Sequence, residues 1–242
     1  MIDMRFDGFD PDIFKFFRQI KKNNNREWFH KNKTRYDKII KEPAATLVEN
    51  LNADPMFRKL HLSMNPKKAL FRLNRDVRFS ADKSPYKTYN GISISRTGKR
   101  NEDGVFYLHL EPGECFFGVG FWMPDPNLLS RFRLQIAQNW SATQKMLRDL
   151  KRAKIELGTF ATEGSLKRIP RGFEHVTHPQ QIDLLKRRSL IVGLSLKESD
   201  VQNAKLVAKA SQFLKRAAPL LKWGWPIVDQ WRLESGNYQN EA

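Results

Sequence analysis

The sequence holds a single cysteine, Cys115, in 242 residues. An internal disulfide framework and a zinc ribbon are therefore excluded, and the usage fits a reducing compartment. No uncharged apolar run approaches the roughly 20 residues of a membrane-crossing helix. The opening residues M-I-D-M-R-F-D-G-F-D are acidic and lack an apolar stretch, so a secretory signal is not expected. The chain is read as cytoplasmic, without membrane insertion. H-E-x-x-H, paired-cysteine, Walker A and G-x-S-x-G motifs are missing, and Gly118-Val119-Gly120 lacks the third glycine of a dinucleotide fingerprint. His175 and His178 are spaced like ligands but bring no third or fourth partner, so no metal site is expected at the histidines. No motif names a cofactor.

Positive charge is abundant instead. The net charge is +17, an excess that attracts nucleic acid, phosphorylated metabolites and anionic surfaces. It is unevenly spread. Lys67–Arg100 holds ten Lys/Arg against Asp76 and Asp82, whereas residues 1–30 are nearly neutral. Hydrophobic residues make up 40%, with 17 Phe and 6 Trp, enough to bury a sizeable core.

Periodicity divides the chain into thirds. Asp10-Pro11 reads as a cap and first helical position, with Ile13, Phe16, Phe17 and Ile20 on one face. Asn25 caps a second helix carrying Trp28, Asn32, Tyr36 and Ile39, and Pro43 opens a third. Period two then takes over. Ala69, Phe71, Leu73, Val77 and Phe79 suggest strands, and Ile92 and Ile94 mark another. Val105–Glu111 and Cys115–Met123 form a hairpin through a type II turn at Pro112-Gly113. Helices return with a cap at Asp125, a capping box at Ser141–Gln144, and a helix opened by His178-Pro179. Leu190–Leu196 reads as a strand, and a long helix is expected from Ser199/Asp200 to about Ala218. The expected fold is α+β: a central antiparallel sheet with helices before and after it, packed on the sheet. One domain over residues 1–242 is expected, with a smaller C-terminal lobe from about residue 155.

Chemistry concentrates in Arg72–Tyr89, R-L-N-R-D-V-R-F-S-A-D-K-S-P-Y-K-T-Y. On an extended strand Arg72, Asn74, Asp76, Arg78 and Ser80 would share one face. Guanidiniums beside an amide and a carboxylate suit bidentate recognition of phosphate or carboxylate. Ser80, Asp82 and Ser84 favour a turn, and Pro85 fixes its exit, presenting Lys83, Lys87 and the Tyr86 hydroxyl. The candidate anion-binding residues are thus Arg72, Arg75, Arg78, Ser80, Lys83, Tyr86 and Lys87. Asp76 and Asp82 are the candidate catalytic or metal-binding carboxylates. The competing explanation is an Arg–Asp ion-pair lattice that only holds the loop. Asn24-Asn25-Arg26, at a helix start, is open to the same choice between an anion site and a cap. His109, alternating with Tyr107, is a weaker acid/base candidate than a hydrogen-bonded sheet histidine.

The run Arg72–Thr88 resembles the signature of the domain-of-unknown-function 2461 family. Asn24–Tyr36 followed by Pro43, G-V-G-F-W-M-P (Gly118–Pro124), R-F-R-L-Q-I (Arg131–Ile136) and L-K-R-I-P-R-G-F with His178-Pro179 are also similar to it. The resemblance implies a compact α+β fold and points to Arg75, Asp76, Arg78, Ser80, Asp82, Lys83, Tyr86 and Lys87, with Asn25, Trp28 and Phe29. Val119 departs from the tighter Gly-Gly turn associated with the family. No activity is implied.

Three functions compete. An anionic or phosphorylated small molecule bound at Arg72–Tyr89, by an enzyme or a binding protein, stands first. A nucleic-acid-binding surface extended by Lys167–Arg171 and Lys186–Arg188 is second, and a structural or partner-binding module third.

Overall fold

The computed structural model describes residues 5–100, 102–158 and 165–236. Among them, α1 (Asp12–Lys22), α2 (Arg26–Tyr36), a π-helical turn (Asp37–Lys41), α3 (Glu42–Ala53) and the short α4 (Pro55–Lys59) and α5 (Pro66–Ala69) come first. They precede β1 (Asn90–Ile94), β2 (Val105–Leu110) and β3 (Cys115–Phe121). Then follow α6 (Pro126–Gln138), α7 (Trp140–Arg152), α8 (Pro179–Lys186), β4 (Leu190–Leu196), α9 (Glu198–Val201) and α10 (Leu206–Glu234). The strands form one antiparallel sheet in the order β1-β2-β3-β4, flanked in sequence by helices, which is the expected α+β class. The chain divides into two compact units, residues 1–118 with 194–214, and 119–193 with 215–242.

In the first unit, the Asp10 carboxylate accepts the Asp12 N–H at 2.8 Å and starts α1. Ile13, Phe14, Phe16, Phe17 and Ile20 are buried, so the apolar stripe is one residue wider than the spacing suggested. Asn25 caps α2 by accepting the Trp28 N–H at 2.9 Å. Arg35 on α2 grips Asp12 with two nitrogens, at 2.6 and 2.7 Å. The hydrogen bond from Arg35 holds the Asp12 carboxyl below its ordinary value. Tyr36 accepts a 2.9 Å bond from the buried Asn90 amide, which ties the helices to the start of β1. Burial pushes the Tyr36 phenol up to about 12.

β1 and β2 pair from Asn90↔Leu110 to Ile94↔Phe106. Ile92, Ile94, Phe106, Leu108 and Leu110 are buried, while Val105, Tyr107 and His109 stay half-buried. Buried rings continue the core from Phe57 to Phe106 (5.0 Å), Phe117 (5.2 Å) and Phe213 (5.9 Å). Gly113 at φ +80 and the Glu114 N–H donating to Glu111 O at 3.1 Å give the expected type II turn.

In the second unit, Ile136, Val176, Leu184 and Leu185 form a core against Trp140, Phe173 and Trp223. The buried Gln181 amide donates to Ile136 O at 3.0 Å. One expectation changes here. The α7 cap is Asn139, which accepts the Ala142 N–H at 3.4 Å, and Ser141 lies inside the helix. Asparagine directly before the apolar run competes better for the cap than the serine two residues on. Gly120 explains the Gly118-Val119-Gly120 run: its φ is +136, and an added Cβ would lie 2.2 Å from Leu190 O. Of the irregular stretch 163–179, residues 163 and 164 lie outside the described residues, and 165–178 carry no helix or strand.

The last long helix also departs from expectation. Ser199/Asp200 belong to the short α9, and α10 begins at Leu206 and runs through Pro219 and Pro226 to Glu234. A proline inside a helix costs about 3 kcal/mol. Leu220, Leu221 and Val228 beyond Pro219 are fully buried, and each such side chain contributes about 1.5–3 kcal/mol. Burial therefore outweighs the break that proline signals.

Candidate functional site

Residues 70–89 fold as an irregular loop, and the extended strand with Arg72, Asn74, Asp76, Arg78 and Ser80 on one face is not formed. Ala69 closes the helical turn α5, started by Asn65 accepting the Lys67 N–H at 3.0 Å. Beyond it only isolated bridges pair the chain, Leu70 with Ile92 and Asn74 with Tyr86. The physical reason is local competition for backbone donors. Asp76 Oδ1 takes the Arg78 N–H at 3.3 Å, and Asp82 Oδ1 takes the Ser84 N–H at 2.9 Å. Pro85 has no N–H to give. Phe79, placed on the apolar side by alternation, is 97% exposed.

What the loop does have is a clamped base. Arg75 N–H donates to Pro85 O at 2.9 Å and Lys87 N–H to Leu73 O at 2.8 Å. Tyr86 thus turns its own backbone groups away from residues 73–75, and the side chain of Asn24 meets both. Asn24 Nδ2 donates to Tyr86 O at 2.9 Å, and Tyr86 N–H donates to Asn24 Oδ1 at 3.0 Å. Asn24 takes the place of a neighbouring strand. The Tyr86 ring is buried, with its centroid 4.4 Å from Phe29. Trp28 and Tyr36 pack on Phe16 at 5.5 and 5.8 Å.

Internal partners absorb much of the predicted charge. Arg75 pairs with Asp82, and its other nitrogen lies 3.4 Å from Ser80 Oγ. Hydrogen bonds from Ser84 and then Arg75 drive the Asp82 carboxyl well below the usual range. Arg78 binds Asp76 through two nitrogens, at 3.0 and 2.7 Å, and this lowers Asp76 as well. Lys83 donates to Val77 O at 3.0 Å. Both carboxylates remain ionised at neutral pH, a state that orients guanidiniums and does not donate protons.

These elements enclose a cleft of about 590 Å³ lined by Lys21, Asn24, Arg75, Asp76, Asp82, Ser84, Tyr86, Lys87, Thr88 and Tyr89. Five predicted residues, Arg75, Asp76, Asp82, Tyr86 and Lys87, thus converge. Arg72, Arg78, Ser80 and Lys83 are not among the lining residues. Lys21 was not anticipated; Ser84, Thr88 and Tyr89 fall within the segment singled out in the sequence, and Asn24 had been weighed between an anion site and a cap. Asn24 left one trace in the sequence, as an extra asparagine beside a cap.

Lys87 differs from Arg75, Arg78 and Lys83. It is half-buried, and among the described residues its ammonium has no carboxylate or carbonyl partner. It stands 5.8 Å from the Phe71 ring and 5.7 Å from the Tyr89 ring. Burial, then Arg72 and Arg100, lower its pKa below the ordinary lysine value. On the Tyr89 ring packs His109, which has both nitrogens engaged, Nδ1 with the Tyr107 hydroxyl at 3.1 Å and Nε2 with Glu111 at 3.0 Å. Burial pushes the Tyr107 phenol well above its usual value.

Among the described residues no group of three His, Cys, Asp or Glu could hold a metal ion, and no helix is long and apolar enough to cross a membrane. Fold and site together define an α+β protein with a polar cleft at the base of a basic loop. The chain belongs to the family of conserved hypothetical proteins DUF2461, whose model matches residues 12–223. No curated protein and no solved structure matches it.

Proposed function

We propose that the cleft binds a small anionic molecule, with Lys87 as its principal cation. The observation that carries this reading is the half-buried Lys87 ammonium, without a counter-ion among the described residues, on the wall of a cleft of about 590 Å³. Withdrawing an ammonium from water without pairing it is costly. Arg75 meets that cost through Asp82, while Arg78 and Lys83 stay exposed to water. Among the described residues Lys87 is met only by ring faces, and a ligand's negative charge would complete its shell. Lys21, Ser84 and Thr88 on the same wall offer a second cation and two hydroxyls. Arg75, already oriented by Asp82, can add a preorganised guanidinium.

Isothermal titration with inorganic phosphate, pyrophosphate and ribose 5-phosphate tests the reading. At a ligand concentration a hundredfold above Kd, binding stabilises the fold by about 2.7 kcal/mol, a shift that thermal melting also reads. Lys87→Met keeps the aliphatic stem and removes the charge, and is expected to weaken binding at least tenfold with the melting temperature of the free protein retained. Equal binding by wild type and Lys87→Met, or binding confined to oligonucleotides with a steep salt dependence, would contradict the proposal.

A further inference from the structure

Beside Lys87, one face of the sheet and its approach carry a connected run of half-buried rings. Phe71 and Tyr107 lie 6.2 Å apart, Tyr107 and Phe116 6.0 Å, Phe116 and His109 4.8 Å in a 13° stack, and His109 and Tyr89 4.7 Å. Lys87 completes the circuit, close to both Phe71 and Tyr89. Gly91 faces His109 across the β1–β2 ladder, and a Cβ there would lie 2.4 Å from the Tyr107 hydroxyl. The glycine thus lets Tyr107 lie against β1. Because both nitrogens of His109 are occupied, this wall presents ring surface and few vacant polar groups.

Further cations stand at its rim. The Arg100 guanidinium stands 5.7 Å from the same Phe71 ring that Lys87 approaches, and it donates to Leu70 O at 3.0 Å. Arg72 is close enough to repel Lys87. Glu111, beyond the end of β2, is held by His109. Clustered cations beside contiguous half-exposed rings match a ligand that has a multiply charged end and a flat apolar end.

We infer that the ligand of this cleft is a phosphorylated molecule bearing a planar ring, a mononucleotide in chemical class. Its phosphoryl group meets Lys87 in the cleft, Arg72 and Arg100 add positive charge from beyond the lining residues, and its ring lies on Tyr89 and the adjoining aromatic wall. The inference rests on the anion-binding reading of Lys87 and adds the ring.

Calorimetric titration of the full chain with ribose 5-phosphate, the four ribonucleoside 5′-monophosphates and a short single-stranded oligonucleotide tests it. At least one mononucleotide should bind roughly tenfold or more tightly than ribose 5-phosphate, the scale of one base stacked on an aromatic side chain. Tyr89→Leu should remove that advantage and leave ribose 5-phosphate within about twofold of wild type, whereas Arg100→Gln should weaken every phosphorylated probe. The comparison of probes on wild type stands even if a variant fails to fold. Equal affinity for ribose 5-phosphate and all mononucleotides, with Lys87→Met abolishing both, overturns the ring and leaves the anion site standing. Absence of binding to every probe overturns both readings. Preference for the oligonucleotide, with a salt slope counting several phosphates, replaces the mononucleotide with a nucleic-acid strand.

Discussion

Asn24→Ala probes the architecture of the site at its narrowest support. The Asn24 amide makes two hydrogen bonds to the backbone of Tyr86, at 2.9 and 3.0 Å. The bridge to residues 73–75 uses Arg75, Pro85, Leu73 and Lys87, so it supplies Tyr86 with no backbone partner of its own. Each bond contributes about 1 kcal/mol net, and an unmet buried group costs about 1–3 kcal/mol. The site is part-buried, and water can recover some of the loss. The expected destabilisation is therefore about 2 kcal/mol, or roughly 4–8 °C in melting temperature for a chain of this size. Urea denaturation gives the total, and hydrogen exchange at the Tyr86, Lys87 and Arg75 amides localises it. Exchange should accelerate at these amides while the α3 core stays protected. A change under about 0.5 kcal/mol, with exchange at Tyr86 unaltered, would refute the view that a side chain substitutes for a strand here.

Other perturbations test separate parts of the account. Gly120→Ala places a Cβ against Leu190 O at φ +136, and should cost at least about 2 kcal/mol in urea melts; a neutral result would mean that the strand backbone yields. Asp12 has a folded pKa below its ordinary value of 3.8, because of the hydrogen bond from Arg35. Its contribution is therefore fully present above that ordinary value and disappears as pH falls through the folded one. Asp12→Asn should lower stability at neutral pH and flatten the loss below about pH 4; an unchanged acid limb would assign that loss elsewhere. Phe79→Ser, at a side chain that is 97% exposed, should shift stability by less than about 0.5 kcal/mol, whereas a strand residue packed on a core would cost several times more. Anion affinity should fall with rising pH before 10.5, the ordinary lysine value, because burial depresses Lys87; titration between neutral and alkaline pH reads this directly.

The helices, the hairpin and its type II turn were legible because their signals are local. Asp10, Asn25 and Asp125 each accept a backbone N–H within three residues of themselves. Pro112-Gly113 can close only a narrow set of turns. The segment around Arg72 was legible as a place and illegible as a shape. Its alternation is real, but Asp76 and Asp82 satisfy nearby N–H groups and Pro85 lacks one, so the strand cannot propagate. Ion pairing was likewise hidden: Asp82 lies seven residues from Arg75, yet pairs with it through the turn. Asn24 could not be assigned its role because its partner, Tyr86, is 62 residues away. At Pro219 the local stop signal was clear, and the burial that overrides it depends on tertiary structure.

The proposed anion site depends on the half-buried Lys87, whose ammonium has no counter-ion among the described residues. Titrating wild type and Lys87→Met with ribose 5-phosphate at neutral pH and fixed salt addresses it most directly. Saturable binding to wild type is expected, with at least a tenfold loss in the variant and the free-protein melting temperature retained. Matching affinities in the two proteins would contradict it.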